Sequence, residues 1–157
     1  MAFVQKLPAA TVHNTGFTHK AVIKAADITG LTKATGYGLF PAYRNTAVTF
    51  PAGSIVEKIH VNVNTVGTNS TNTLTLSVGD GSSATRFVNA IDLKTVTQSV
   101  GATIAACPYV YSSADSIDFQ IGTDASDLTG VGALDMEIYI RVINCTDLEL
   151  DSGPLGS

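Results

Sequence analysis

From Leu134 to Val142 the chain alternates strictly. Leu134, Met136, Ile138, Ile140 and Val142 are apolar, and Asp135, Glu137, Tyr139 and Arg141 stand between them. Successive side chains of a strand point to opposite faces, so this spacing predicts a strand with an apolar row turned to a core and a polar row turned away. The same period of two recurs three times. Ile55, Ile59, Val61 and Val63 alternate with Lys58, His60, Asn62 and Asn64, with Glu57 interrupting the inward row near its start. Leu74, Leu76 and Val78 alternate with Thr73, Thr75 and Ser77, and Ile117, Phe119 and Ile121 with Asp118 and Gln120.

Weaker strand patterns cover residues 20–26, 47–50, 86–93 and 103–111, for a total of roughly eight strands. Turn signals separate them: Gly36-Tyr37-Gly38, Pro51-Ala52-Gly53, Gly67-Thr68-Asn69-Ser70, Gly79-Asp80-Gly81, residues 122–124 and Gly130-Val131-Gly132. Glycine and asparagine supply the positive φ that tight turns need. No stretch carries a helical stripe of ten residues. The alanines of residues 21–28 admit a short helix, but Val22, Ile23 and the flanking threonines favour a strand. A single helical turn fits residues 89–93 or 112–115. Many short strands between regularly spaced turns predict an all-β domain, a β-sandwich or jelly roll of antiparallel strands.

The pattern also divides the chain. Residues 1–18 lack periodicity and read as an extended apolar N-terminal arm carrying Phe3, Val4, Leu7, Val12 and Phe17, the candidate contacts to a neighbouring chain. The β-domain spans residues 19–146. Residues 147–157 read as a flexible tail, and its end, Ser152-Gly153-Pro154-Leu155-Gly156-Ser157, has the composition of a linker or cloning remnant.

Composition narrows the function. Of 157 residues, 45% are hydrophobic and only 14% charged, against about 25% in ordinary soluble domains. Such a chain must bury surface within one subunit or between subunits, because charge is depleted at interface cores. The net charge is −4 and the nine basic residues form no run, which disfavours nucleic acid as a partner. No apolar stretch is long enough for a membrane helix, and the first residues lack the pattern of a signal peptide. Synthesis in a cytoplasm is expected. The sequons at Asn69 and Asn144 then read as chance matches.

Candidate chemistry is thin. His13 and His19 lie in or beside the arm, and His60 lies on the outward row of a strand. Cys107 has no basic neighbour in sequence to lower its pKa, and Cys107 and Cys145 make no disulfide scaffold or metal motif and read as two small buried side chains. Asp115, Asp118, Asp124, Asp127 and Asp135 fall in turns and on polar strand faces, where aspartate is ordinary; a catalytic pair would also need a cleft. Asp124 and Asp127 could also hold a cation at a subunit axis. Gly79-Asp80-Gly81-Ser82-Ser83 lacks the lysine and helix of a phosphate loop and the closing acid of a calcium loop. The expectation is no enzyme, no cofactor and no bound metal.

One stretch adds to this reading. Leu76-Ser77-Val78-Gly79-Asp80, a small-residue turn, Thr85-Arg86-Phe87 and Ala90-Ile91-Asp92-Leu93 follow in order. Further pieces are His19-Lys20-Ala21-Val22-Ile23, Pro51-Ala52-Gly53-Ser54-Ile55-Val56, Tyr111 to Ile117, and Glu137-Ile138-Tyr139-Ile140-Arg141-Val142. Together, across residues 19–144, they resemble the capsid decoration, or cement, proteins of tailed bacteriophages. The resemblance implies a sandwich or jelly-roll domain. It implies a homotrimer bound to the major capsid protein on the outer surface of the virion, holding the shell against internal pressure. It carries no catalytic residues. The alternative is a virion-borne receptor- or glycan-binding module of a head fibre or tail tip, with Tyr37, Tyr43, Tyr109 and Tyr111 as sugar-stacking candidates; their competing role is packing at the ends of the sandwich or at an interface.

Overall fold

A computed structural model of the chain describes residues 3–6, 16–39, 49–68, 73–95, 98–100 and 107–143, with the backbone alone at 3–6 and 98–100. Among the described residues the strands are β1 (Phe3–Lys6), β2 (His19–Lys24), β3 (Tyr37–Gly38), β4 (Ile55–Thr65), β5 (Leu74–Asp80), β6 (Ser83–Asp92), β7 (Gln98–Val100), β8 (Tyr109–Val110), β9 (Asp118–Thr123) and β10 (Asp135–Ile143). They exceed the expected eight because β1, β3, β7 and β8 are short edge pieces. One sheet, A, runs β1-β2-β10-β4-β7, with β8 also on β4; the other, B, runs β3-β9-β5-β6. Every pairing is antiparallel. The chain is an all-β sandwich.

The core fills the space between the sheets. Sheet A contributes Ile23, Val61, Val63, Met136, Ile138 and Ile140, and sheet B contributes Leu74, Leu76, Val78, Val88, Phe119 and Ile121. Ile28, Leu39, Leu128, Val131 and Leu134 close the core from loops and a short helix. β10 buries every second residue from Met136 to Val142, as its alternation predicts.

β4 departs from its expected row. Ile59, Val61 and Val63 are buried, but Val56 rather than Ile55 begins the inward set. Arg141 pairs Lys58 and Val142 pairs Val56, so Glu57 is an extra residue on β4. Such a β-bulge re-phases the strand and turns Ile55 outward. The interruption at Glu57 in the sequence is this bulge.

Three further expectations are corrected. The strand expected over 20–26 ends at Lys24, and helix α1 (Ala25–Ile28) follows. Alanine favours that turn, the Asp27 carboxylate accepts the Lys24 N–H at 2.9 Å, and the Thr29 hydroxyl donates to the Ala25 carbonyl at 2.7 Å. Tyr37-Gly38, read as a turn, is β3, because its backbone completes the edge of β9. Residues 89–92 stay in β6, and residues 112–115 form bends and a bridge between Asp115 and Phe50; neither stretch is helical. Residues 47–48 and 103–106 of two weaker strand candidates, both sequons, and His13, Tyr43 and Cys145 lie outside the described residues.

Candidate binding face

The register of sheet A lays its outward side chains in cross-strand rows. Val22, Glu137 and Asn62 form one, and Lys20, Tyr139 and His60 the next. Arg141 and Lys58 follow, and then an apolar row of Ile143, Ile55 and Val110. Val110 is 56% exposed, whereas Ile55 and Ile143 are half-buried.

Ion pairs tie the polar rows together. Lys20 Nζ lies 2.6 Å from Glu137 Oε1, the Tyr139 hydroxyl donates to Glu137 Oε2 at 2.7 Å, and Arg141 pairs with Glu57. Burial acts to raise the Glu137 carboxyl, but hydrogen bonds from Lys20, Tyr139 and Asn64 and the Lys20 charge hold it below its ordinary value. The bond to Glu137 raises the Lys20 ammonium against the opposing effect of burial.

The root of the arm crosses this face. The Arg141 guanidinium donates to the Gly16 carbonyl at 3.1 Å. The Phe17 ring lies 5.6 Å from Tyr139 and 6.3 Å from His60, with Lys58 Nζ at 4.4 Å from its centroid. The Thr18 hydroxyl donates to the Ile140 carbonyl at 3.1 Å and accepts the Val142 N–H at 2.9 Å. Of the candidate contact residues, Phe17 therefore rests on its own sheet. Phe3 and Val4 stand in β1, opposite Val22 and Ala21 of the same chain, and Leu7 and Val12 lie outside the described residues.

The stretch from Val78 to Phe87 forms a second feature. Val78 pairs Val88 and Asp80 pairs Ser83, so β6 carries several extra residues that arch over the end of β5. Gly79 makes room for the arch: a Cβ there would stand 1.9 Å from the Ser83 carbonyl oxygen and 2.5 Å from the Ala84 carbonyl carbon. Asp80, 4% exposed, holds it. Its Oδ1 accepts the N–H groups of Ser82 and Ser83 at 3.0 and 2.8 Å, and Oδ2 pairs with Arg86. The Arg86 guanidinium lies 4.2 Å from the Tyr109 ring centroid, and Phe87 and Tyr111 meet Tyr109 edge-on. The Gly-Asp and Arg-Phe pieces noted in the sequence are thus the two halves of one buried clamp.

Of the remaining candidates, four aspartates are occupied by structure, whereas Asp135 Oδ1 is buried without a hydrogen-bond partner among the described residues. Asp115 Oδ1 accepts the Gly81 and Ser116 N–H groups, and Asp118 accepts the Ser116 hydroxyl. Asp124 accepts the Thr73 N–H, and Asp127 binds the backbone and hydroxyl of Thr129. Among the described residues no group of three or more His, Cys, Asp or Glu could hold a metal ion, and no helix is long and apolar enough to cross a membrane. Burial pushes the half-buried Cys107 thiol up, away from the thiolate a nucleophile needs. Tyr111 is 2% exposed, its hydroxyl donates to the Ser116 carbonyl at 3.2 Å, and burial, with Asp80, Asp115 and Asp118 nearby, drives its phenol upward. Tyr37 packs beside Phe119 and its oxygen accepts the Thr32 N–H. Tyr111 is thus part of the core, and Tyr37 and Tyr109 are partly buried against it. The row of Ile143, Ile55 and Val110 was missed because Ile55 reads as core until the bulge at Glu57 is recognised.

The fold and face define an all-β sandwich with a polar-aromatic outer sheet bordered by apolar residues. No protein-family model matches the chain, and no curated protein matches it. Among solved structures it is similar to a chain of the "Cyanophage Pam1 capsid asymmetric unit", with a TM-score of 0.51 and 18% identity over 78% of this chain and 81% of that one. At this identity the likeness is one of fold.

Proposed function

We propose that the protein is a non-enzymatic structural component of a bacteriophage virion, which binds the outer surface of the capsid as a homotrimer and stabilises the shell. The observation that carries the reading is the likeness of fold to a chain of a phage capsid across most of both chains. It agrees with the resemblance of residues 19–144 to decoration proteins. Asp80, Asp115, Asp118, Asp124 and Asp127 are engaged in turns and in the clamp. The low charge content suits a protein that buries surface against copies of itself and against the major capsid protein. Three equivalent contacts in a trimer would convert weak single contacts into avidity.

Light scattering on the purified protein, followed by co-sedimentation with cognate empty capsids, tests the reading. A trimer that pellets with capsids and raises their melting temperature is the expected result. A monomer that stays in the supernatant overturns it.

A further inference from the structure

β1 is the outermost strand of sheet A, four residues held along one edge by β2. Lys6 stands beside His19 there, and Ile140 of β10 stands on the other side of His19. The chain nevertheless enters β2 from that other side. Arg141 of β10 donates to the Gly16 carbonyl, and Phe17 lies beside Tyr139 of β10 and His60 of β4. The Thr18 hydroxyl bonds the Ile140 carbonyl and the Val142 N–H. Gly16, at φ +69°, is closely seated: a Cβ there would stand 3.2 Å from Lys58 Nζ. Residues 16–18 are thus fixed over β10 and β4, while β1 lies beyond the opposite edge of β2. We infer that β1 is exchanged between copies of this chain, so that residues 3–6 of one subunit pair with β2 of the next. The register is the same: Phe3 with Val22, Val4 with Ala21, Gln5 with Lys20 and Lys6 with His19.

Topology, reach and symmetry favour a second copy as the donor. Neighbouring strands stand about 5 Å apart, so β4 and β1 are separated by roughly 15 Å across β10 and β2. The chain from Lys6 to Gly16 spans at most about 35 Å. A strand that returns to its own β2 uses nearly half of that reach to double back across its own sheet. A chain that continues in the direction set by Phe17 and Gly16 leads away from its subunit. The ladder on β2 is the same in both arrangements and is neutral between them; the direction of the chain at Gly16 is not. In a closed ring each subunit gives one strand and receives one, so no β2 edge is left open. The ring rests on the homotrimer proposed above.

Disulfide capture in the full chain tests the exchange. Cys107→Ser and Cys145→Ser remove the native thiols, and Phe3→Cys with Val22→Cys places one thiol on each side of the ladder, where opposed Cα atoms stand within disulfide range. Oxidation should shift the chain from the monomer band to covalent trimers on a non-reducing gel, because each disulfide then joins two subunits. Chains carrying Phe3→Cys alone and Val22→Cys alone, refolded together, should join to each other. Isotope-filtered nuclear Overhauser contacts in the unmodified protein, refolded from labelled and unlabelled chains, provide a readout that needs no variant. Backbone protons of residues 3–6 of one subunit should meet those of residues 19–22 of another. A trimer by light scattering whose disulfides and backbone contacts stay within single chains overturns the exchange and leaves the homotrimer standing. A covalent dimer that scatters as a dimer supports the exchange and overturns the homotrimer. A monomer overturns both.

Discussion

The pair β4–β10 and the pair β5–β6 are both long antiparallel ladders, yet they are held differently. In β4–β10 one face is core and the other is a polar-aromatic surface, and the alternation of β10 is unbroken from Asp135 to Ile143. Its stability resides in apolar burial, and the bulge at Glu57 shifts the inward set of β4 without opening the core. In β5 the residues from Leu76 to Asp80 are all buried. Its second face is covered by the arch of β6, and a missing side chain at Gly79 and a buried carboxylate at Asp80 decide the geometry. A sheet with one wet face is specified by pattern. A strand covered on both faces is specified by individual residues.

The largest effects should separate the two faces of β10. Ile138→Ala, at a fully buried position, is expected to lose about 2–5 kcal/mol in denaturant unfolding. Ile143→Ala, on the outer row, should cost less than about 1 kcal/mol. Equal losses would mean that the outer row is as much a core as the inner one.

Gly79→Ala comes next. The atoms a Cβ would strike are backbone atoms of Ser83 and Ala84, which cannot move aside without deforming the arch, so a loss of about 1–3 kcal/mol is expected. Gly30→Ala has nothing within 4 Å of the new atom and should stay within about 0.5 kcal/mol of the parent. A tolerated Gly79→Ala would show that the arch is not closely seated on β5.

Asp80 and Arg86 should couple. Removing Asp80 leaves two turn N–H groups and a guanidinium without their carboxylate, while the Arg86 side chain, 23% exposed, recovers some water. A double-mutant cycle of Asp80→Ala and Arg86→Met is expected to give about 0.5–3 kcal/mol of coupling. Additive losses would assign the role of Asp80 to the turn N–H groups alone.

How much of this was legible follows the same division. β10 and most of β4 read directly from alternation, because one wet face leaves polar residues at every second position. The phase of β4 before Glu57 did not, since a bulge changes which side chain faces inward without changing composition. β3 was hidden because a glycine-flanked pair at a sheet edge has turn composition, and α1 because one helical turn is too short to show a stripe. At the candidate site, the polar row of Lys58, His60 and Asn62 was visible, but not its partners, since register between distant strands is not written locally. Gly79, Asp80, Arg86 and Phe87 were noticed as a motif; that they form one clamp required the extra residues of β6 to be seen folding over β5. Of the tyrosines offered for packing or for stacking sugars, Tyr111 is buried in the core, while Tyr37 and Tyr109 are partly buried against it.

The smallest expected effect concerns the outer face and pH. The folded-state pKa of Glu137 is depressed below 4.5, so its stabilising contribution is present above that value and is lost as pH falls through the folded pKa. Lys20 is raised above 10.5, so its contribution is present below that value and is lost as pH rises through the folded pKa. The pair therefore stabilises the fold across the interval between those two ordinary values. Both side chains are partly solvated, 26% and 20% exposed, and solvent screening limits the contribution to about 0.2–1 kcal/mol. Glu137→Gln should remove that amount at neutral pH and flatten the acid limb of a stability–pH curve below about pH 4.5. An acid limb unchanged in Glu137→Gln would mean that the Lys20–Glu137 pair adds nothing to the stability of the subunit and leaves that part of the outer face to be shaped by what it binds.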